Sequence, residues 1–293
     1  MKISSKSILY SLAAVFFWST SATAFKLSLR GMDYVQLVFY SSLMSAVVLF
    51  ILIIAVGKFS PGSIFKNSLP KSLLLGLLNP FLYYLVLFKA YSLLQAQEAM
   101  VLNYTWPIMV SIFAGIFLKH KISAKIIIGL TAAFFGVIII ATHGDIFTMK
   151  FNNVFGFALA AGSSIIWAAF WIINLKDDRD PSIKLFSAFF FGTIFTAAYI
   201  LLFDSFSPVN SNSFWGAGYI GVFEMSIGFF LWLKGLQLSP NKAKSSTLAY
   251  LAPFISLLLI SIVLGEKIYL SSVFGLMLII GGILYQQFST RDE

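Results

Sequence analysis

Apolar residues come in long blocks separated by short polar breaks. Ten such blocks run over residues 8–29, 34–56, 72–94, 96–118, 123–142, 154–175, 183–203, 214–236, 243–264 and 269–288. Each approaches the ~20 residues that an α-helix needs to cross a hydrocarbon core about 30 Å thick. Helices are the expected form, because lipid offers no partner to a backbone N–H or C=O and each span must satisfy its own. The breaks, such as Gly57–Gly62, His143–Asp145, Lys176–Asp180 and Ser205–Ser213, are too short for a soluble domain.

Composition sharpens this reading. The 293 residues are 59% hydrophobic and 11% charged, with a mean hydropathy of +0.91. Soluble domains are about 45–50% apolar and about 25% charged. A water-soluble enzyme, a disordered chain and a nucleic-acid-binding module are therefore disfavoured. The net charge of +9 follows the loops. If ten helices alternate, only Lys26, Arg30, Lys89, Lys150 and Lys267 of the 20 basic residues fall opposite the N-terminus. That bias predicts a multi-pass protein of the bacterial inner membrane with both termini cytoplasmic. Lys2, Lys6 and Ala22-Thr23-Ala24 imitate a signal peptide with a cleavage site, but the apolar run continues past it.

The two halves resemble each other. Leu102-Asn103-Tyr104-Thr105-Trp106-Pro107 matches Leu248-Ala249-Tyr250-Leu251-Ala252-Pro253 at an offset of 146. The same offset pairs Gly129 with Gly275 and Gly136 with Gly282, while Trp18 pairs with Trp167 and Asn79 with Glu224 at nearly the same spacing. Two repeats of five helices, residues 1–146 and 147–293, are expected. An odd helix number inverts the second repeat, a layout typical of secondary transporters.

Chemistry is sparse and sits at mid-span. There are no cysteines, and the two histidines, His120 and His143, have no partner at metal-ligand spacing, so no metal or cofactor is expected. Glu224 falls near the middle of helix 8. A carboxylate there costs about 2.5–3.5 kcal/mol on insertion scales and should face a cavity or a partner. Glu98 opens helix 4 and reads as a charge favoured at a helix N-terminus. Pro107 and Pro253 centre helices 4 and 9; lacking an N–H, each predicts a kink and a free carbonyl. Pro80 does the same beside Asn79 in helix 3. Most of the 32 phenylalanines read as lipid-facing or packing residues. Trp and Tyr prefer the interface, so Trp18, Tyr83, Tyr84, Tyr104, Trp167, Trp171 and Tyr250 at this depth point to a cavity. Asn79 and Asn103 would add polar contacts. Lys89 and Lys234 read as interfacial anchors. Asp177-Asp178-Arg179-Asp180 reads as a solvated turn. Glycines seven residues apart on helices 5 and 10 suit close helix packing, and both helices are expected outside the pathway.

These residues carry a resemblance. The block Ala249–Phe254, then Leu264-Gly265-Glu266-Lys267, Gly275 and Gly282, resembles the proline–GE–glycine pattern of the EamA branch of the drug/metabolite transporter superfamily. The first half has Lys119-His120-Lys121 where the GE would be. Phe17-Trp18-Ser19-Thr20, Asn103–Pro107 and Ile166-Trp167-Ala168-Ala169 are similar to the YddG-type aromatic amino acid exporters within that branch; Glu224 departs from them. The resemblance implies ten helices around a central cavity and export of an amino acid by alternating access. Uptake or exchange of another metabolite, such as a nucleoside-like methyl donor, is the alternative. The expected partners are a small-molecule substrate, the bilayer and coupling protons, with no nucleic acid, in a monomer or weak homodimer. An intramembrane enzyme is disfavoured, since no H-E-x-x-H, G-x-S-x-G or phosphate-loop motif occurs.

Overall fold

The computed structural model describes residues 5–58, 62, 68–117, 124–145, 153–239 and 247–289. Lys119-His120-Lys121, Lys150, Lys242 and Lys244 lie outside them. Among the described residues the chain is all-helical. Eight helical stretches are long and apolar enough to cross a membrane: α1 (Lys6–Ser28), α2 (Tyr34–Ala55), α3 (Leu69–Leu93), α4 (Ala96–Phe117), α6 (Val154–Leu175), α7 (Pro181–Phe203), α8 (Ser211–Leu238) and α9 (Thr247–Leu264). Two further helices, α5 (Ala124–Ala141) and α10 (Leu270–Ser289), carry shorter apolar segments, Ile127–Ile140 and Leu270–Tyr285. Large apolar side chains such as Leu9, Leu201 and Ile262 point outward, as a lipid-facing belt requires.

Three of the long stretches depart from α geometry. The third is an α-helix to Gly76, an i→i+5 (π) turn over Leu77–Leu82, and an α-helix again from Tyr83. Asn79 within the turn has an extended backbone, and the Asn79–Pro80 peptide bond is cis. α8 widens into a π turn over Ile220–Gly228, and α9 does so over Ile260–Leu264. The α8 turn satisfies its backbone from side chains. Ser226 Oγ donates to the Gly221 carbonyl at 2.7 Å, Ser45 Oγ to that of Met225 at 3.3 Å, and Trp18 Nε1 to that of Glu224 at 3.4 Å. In lipid, an irregular turn persists only with such partners.

Pro107 and Pro253 act as helix starters, not as kinks in running helices. α4 stops at Asn103 and restarts at Trp106, so Pro107 occupies the first turn of the new segment. α9 opens as a 3₁₀ turn over Thr247–Leu251 and becomes α-helical from Ala252, with Pro253 in the first turn. A missing N–H costs nothing there, because that N–H has no intrahelical acceptor.

α5 and α10 pack antiparallel through their glycines. A methyl group added at Gly136 would fall 2.7 Å from the Gly275 carbonyl oxygen, and one at Gly282 would fall 2.7 Å from that of Gly129. Only glycine permits so close an approach.

The connections gather at two rims. At one, Lys58 at the end of α2 pairs with Asp180 at 2.6 Å, and Arg179 binds Asp177 at 2.6 Å and Ser72 of α3 at 2.7 Å. At the other, Glu266 between α9 and α10 accepts from the backbone N–H of Ala96 at 2.9 Å, and Gln97 donates to the Lys267 carbonyl at 2.9 Å. Glu98 accepts from the Gln95 N–H at 3.0 Å and also binds His143, whose ring stacks on Tyr269. The helix-terminal charge read for Glu98 is thus a capping contact. Lys89 sits over the ring of Tyr34, 4.5 Å from its centroid, as an anchor near a helix end.

Candidate functional site

A cavity of about 110 Å³ lies among α1, α3, α4, α6, α8 and α9. Of the described residues lining it, none comes from α5 or α10. The floor is Glu224. Its carboxylate is buried in the π turn of α8 and accepts from Tyr84 Oη at 2.7 Å on each oxygen. The wider turn carries the residue inward without breaking the helix, a device common at functional positions.

Aromatic rings form the walls. Trp167 of α6 faces Tyr83 of α3 at 4.5 Å between centroids, and meets Trp171 edge-on at 6.0 Å. From the opposite side Trp18 of α1 meets Trp232 of α8 at 5.2 Å. Phe229 joins the two groups, lying 5.6 Å from both Trp18 and Trp167. The two tryptophans paired by the repeat thus converge on one ring. Each π face is electron-rich and each ring apolar, so the chamber suits an apolar body or a cation.

The break in α4 turns polar groups towards α6. Asn103 accepts from Tyr83 Oη at 3.2 Å and donates to Ser163 Oγ at 2.9 Å, while Thr105 donates to Ser164 Oγ at 3.0 Å. Trp171 Nε1 and Ser256 Oγ border the cavity, buried and without a hydrogen-bond partner.

Seven of the expected residues meet here: Trp18, Tyr83, Asn103, Tyr104, Trp167, Trp171 and Glu224. Asn79, Pro80 and Tyr250 are placed elsewhere. Asn79 is fully buried with neither amide atom hydrogen-bonded, and Pro80 presses on Gly192 of α7. Tyr250 is buried in the core. Tyr84, one of the mid-span aromatics that point to a cavity, holds Glu224 without lining the chamber, whereas Trp232 and Phe229 line it and were not among the expected site residues. Trp232 stands eight positions after Glu224, two helical turns on, so its spacing was a usable signal.

A second, lateral crevice of about 610 Å³ opens on the far face of α1, beside Thr23, Leu27 and Arg30, against α8 and α9. α1 is therefore the partition between crevice and chamber.

A polytopic helical membrane protein with a buried, aromatic, single-carboxylate chamber is built like a carrier of small molecules. The comparisons place it: the chain belongs to the EamA-like transporter family, which it matches over residues 5–142 and 154–285. An uncharacterized transporter of Archaeoglobus fulgidus is 28% identical over 275 residues, covering 92% of this chain and 94% of the relative. The uncharacterized transporter YyaM of Bacillus subtilis is 25% identical, covering 83% and 80%. The aromatic amino acid exporter YddG of Ancylobacter novellus is 25% identical over 184 residues, 61% of this chain and 63% of that one. A solved crystal structure aligns over 98% of both chains with a TM-score of 0.69 at 21% identity, a likeness of fold.

Proposed function

We propose that this chain is a secondary transporter that moves a small amphipathic metabolite, an amino acid, outward across a bacterial inner membrane by alternating access. Both termini are cytoplasmic in this reading. The single observation that carries it is the chamber: one carboxylate, Glu224, and a ring of aromatic faces enclosed by helices from both halves. The halves, 1–146 and 147–293, act as inverted repeats. Supporting this, exchanging the halves converts the Gly129–Gly282 approach into Gly275–Gly136, as a two-fold relation requires. The similarity to an aromatic amino acid exporter supports the substrate class.

In this mechanism Trp18, Trp167 and Tyr104 hold the apolar part of the substrate, Asn103 its polar part, and Glu224 its amine or, in the return step, a proton. Tyr84 holds the carboxylate in place. The helix breaks before Pro107 and Pro253, with the bend at Pro80, are the hinges on which the rims open in turn. The test is counterflow of labelled amino acids in proteoliposomes at several pH values. Glu224→Gln is expected to slow exchange about tenfold or more and to flatten its pH dependence, since the amine loses a charged partner in a buried site. Unchanged rate and pH profile would remove Glu224 from the mechanism.

A further inference from the structure

The charge inventory of the chamber says more about the substrate than its shape does. Among the described residues that line it, Glu224 is the sole ionisable acid with a fixed place, and none is Lys, Arg or His. The nearest basic group along α1, Lys26, is not among the lining residues and is engaged by the carbonyl of Tyr91, to which it donates at 2.7 Å. A free carboxylate entering this space would find no positive partner and would meet Glu224 at close range. Leaving water for such a site is strongly unfavourable for an anion. An ammonium group finds the reverse: the Glu224 carboxylate and a lining rich in aromatic rings, Trp18, Trp232 and Phe229 among them, which attract cations.

The neutral donors refine the class. Trp171 Nε1 and Ser256 Oγ lack partners in the structure. Two neutral donors can hold an acceptor such as an ester, amide, carbonyl or hydroxyl oxygen. They cannot offset a full negative charge in a buried chamber.

We propose that the chamber recognises an organic monocation, an aromatic or alkyl amine whose carboxyl group is absent or masked, in preference to a zwitterionic amino acid. This rests on the transporter reading above and changes its substrate from an amino acid to the corresponding amine, ester or amide. Glu224 pairs with the ammonium, the tryptophans flank it, and Trp171 and Ser256 take the neutral oxygen.

Three probes share one ring and differ only in charge: phenethylamine, phenylalanine and 3-phenylpropionate. Their binding to the full chain in nanodiscs is measured by calorimetry, and their exchange by counterflow in proteoliposomes. Phenethylamine is expected to bind about tenfold or more tightly than phenylalanine, with 3-phenylpropionate weakest. Phenylalanine methyl ester is expected to match or exceed phenethylamine. Glu224→Gln is expected to abolish the preference for the amine. Phenylalanine binding as tightly as phenethylamine in the unaltered protein overturns the inference without any variant. So does phenylalanine binding that is lost in Lys26→Ala, which would make Lys26 the receptor of its carboxylate. Amine that binds but is never exchanged leaves the cation site standing and sinks the transport reading. Phenylalanine preferred in both assays does the opposite.

Discussion

Asn79 on α3 and Glu224 on α8 stand 145 residues apart at matching places in the two halves, each inside a π turn. Their surroundings differ. The Glu224 turn faces the chamber, its carboxylate is held by Tyr84, and its carbonyls receive bonds from Ser45, Ser226 and Trp18. The Asn79 turn faces α7, where Pro80 presses on Gly192 and the amide finds no partner. The same backbone irregularity serves a binding group in one half and a helix–helix contact in the other. Two positions matched by sequence can thus share a distortion while presenting different side chains to different neighbours.

The comparison can be broken most sharply by exchange at the two positions. Glu224→Gln lowers transport about tenfold or more, as above, whereas Asn79→Leu leaves the exchange rate within about twofold. Asn79→Leu is also expected to hold or raise thermal stability by up to about 1 kcal/mol, because a buried amide without partners gives way to an apolar group. A melting curve in detergent and a counterflow rate decide both. Loss of transport in Asn79→Leu would place Asn79 in the pathway after all.

A second contrast sets chamber against periphery. Gly136→Leu forces a side chain into the backbone of α10 and is expected to cost about 1–3 kcal/mol of stability. The protein that remains folded should bind phenethylamine with unchanged affinity, since α5 and α10 do not line the chamber. Calorimetry on the folded fraction checks this.

The smallest effect concerns the rim that holds Asp177 and Asp180. Burial pushes the Asp177 carboxyl up, but the hydrogen bonds and charge of Arg179 outweigh it and hold it below the usual carboxylate range. Asp180 is likewise held low: burial opposes, and bonds from Lys58 and Ser182 prevail. A depressed carboxyl stabilises the fold above its unfolded value, about 3.9, and that stability is lost as pH falls through the lower folded value. Melting temperature should therefore drop below about pH 4, and Asp180→Asn should lessen that drop. Lys58→Ala is expected to cost less than about 1 kcal/mol at neutral pH, because the pair is half-exposed.

The membrane character and most helix limits were legible in the sequence. The expected 72–94 and 214–236 correspond to Leu69–Leu93 and Ser211–Leu238. Block length and hydropathy report burial in lipid directly. The glycine spacing on α5 and α10 announced close helix packing, because close approach leaves only one residue type possible, but not that each helix is the other's partner. The role of Pro107 and Pro253 was half legible: the breaks are there, but one turn earlier, since a proline marks where a helix restarts as readily as where it bends. That Asn79 is not among the described residues lining the chamber was not legible, because residue depth says nothing about which neighbour a widened turn faces. Phe229 could not be singled out among 32 phenylalanines, and only the packing of Trp18 and Trp167 against it gives it a role.

The two rims are fastened by different forces. Lys58 and Asp180 close one with an ion pair open to solvent, whereas backbone amides, Gln97 and the Glu266 carboxylate close the other with short, largely sheltered bonds. Dissolved ions screen the former over a Debye length of about 8 Å at physiological ionic strength and hardly reach the latter. Ionic strength therefore acts unequally on the two rims. In the alternating-access mechanism proposed above, the balance between the two open states then becomes a property of the surrounding electrolyte as well as of the cargo.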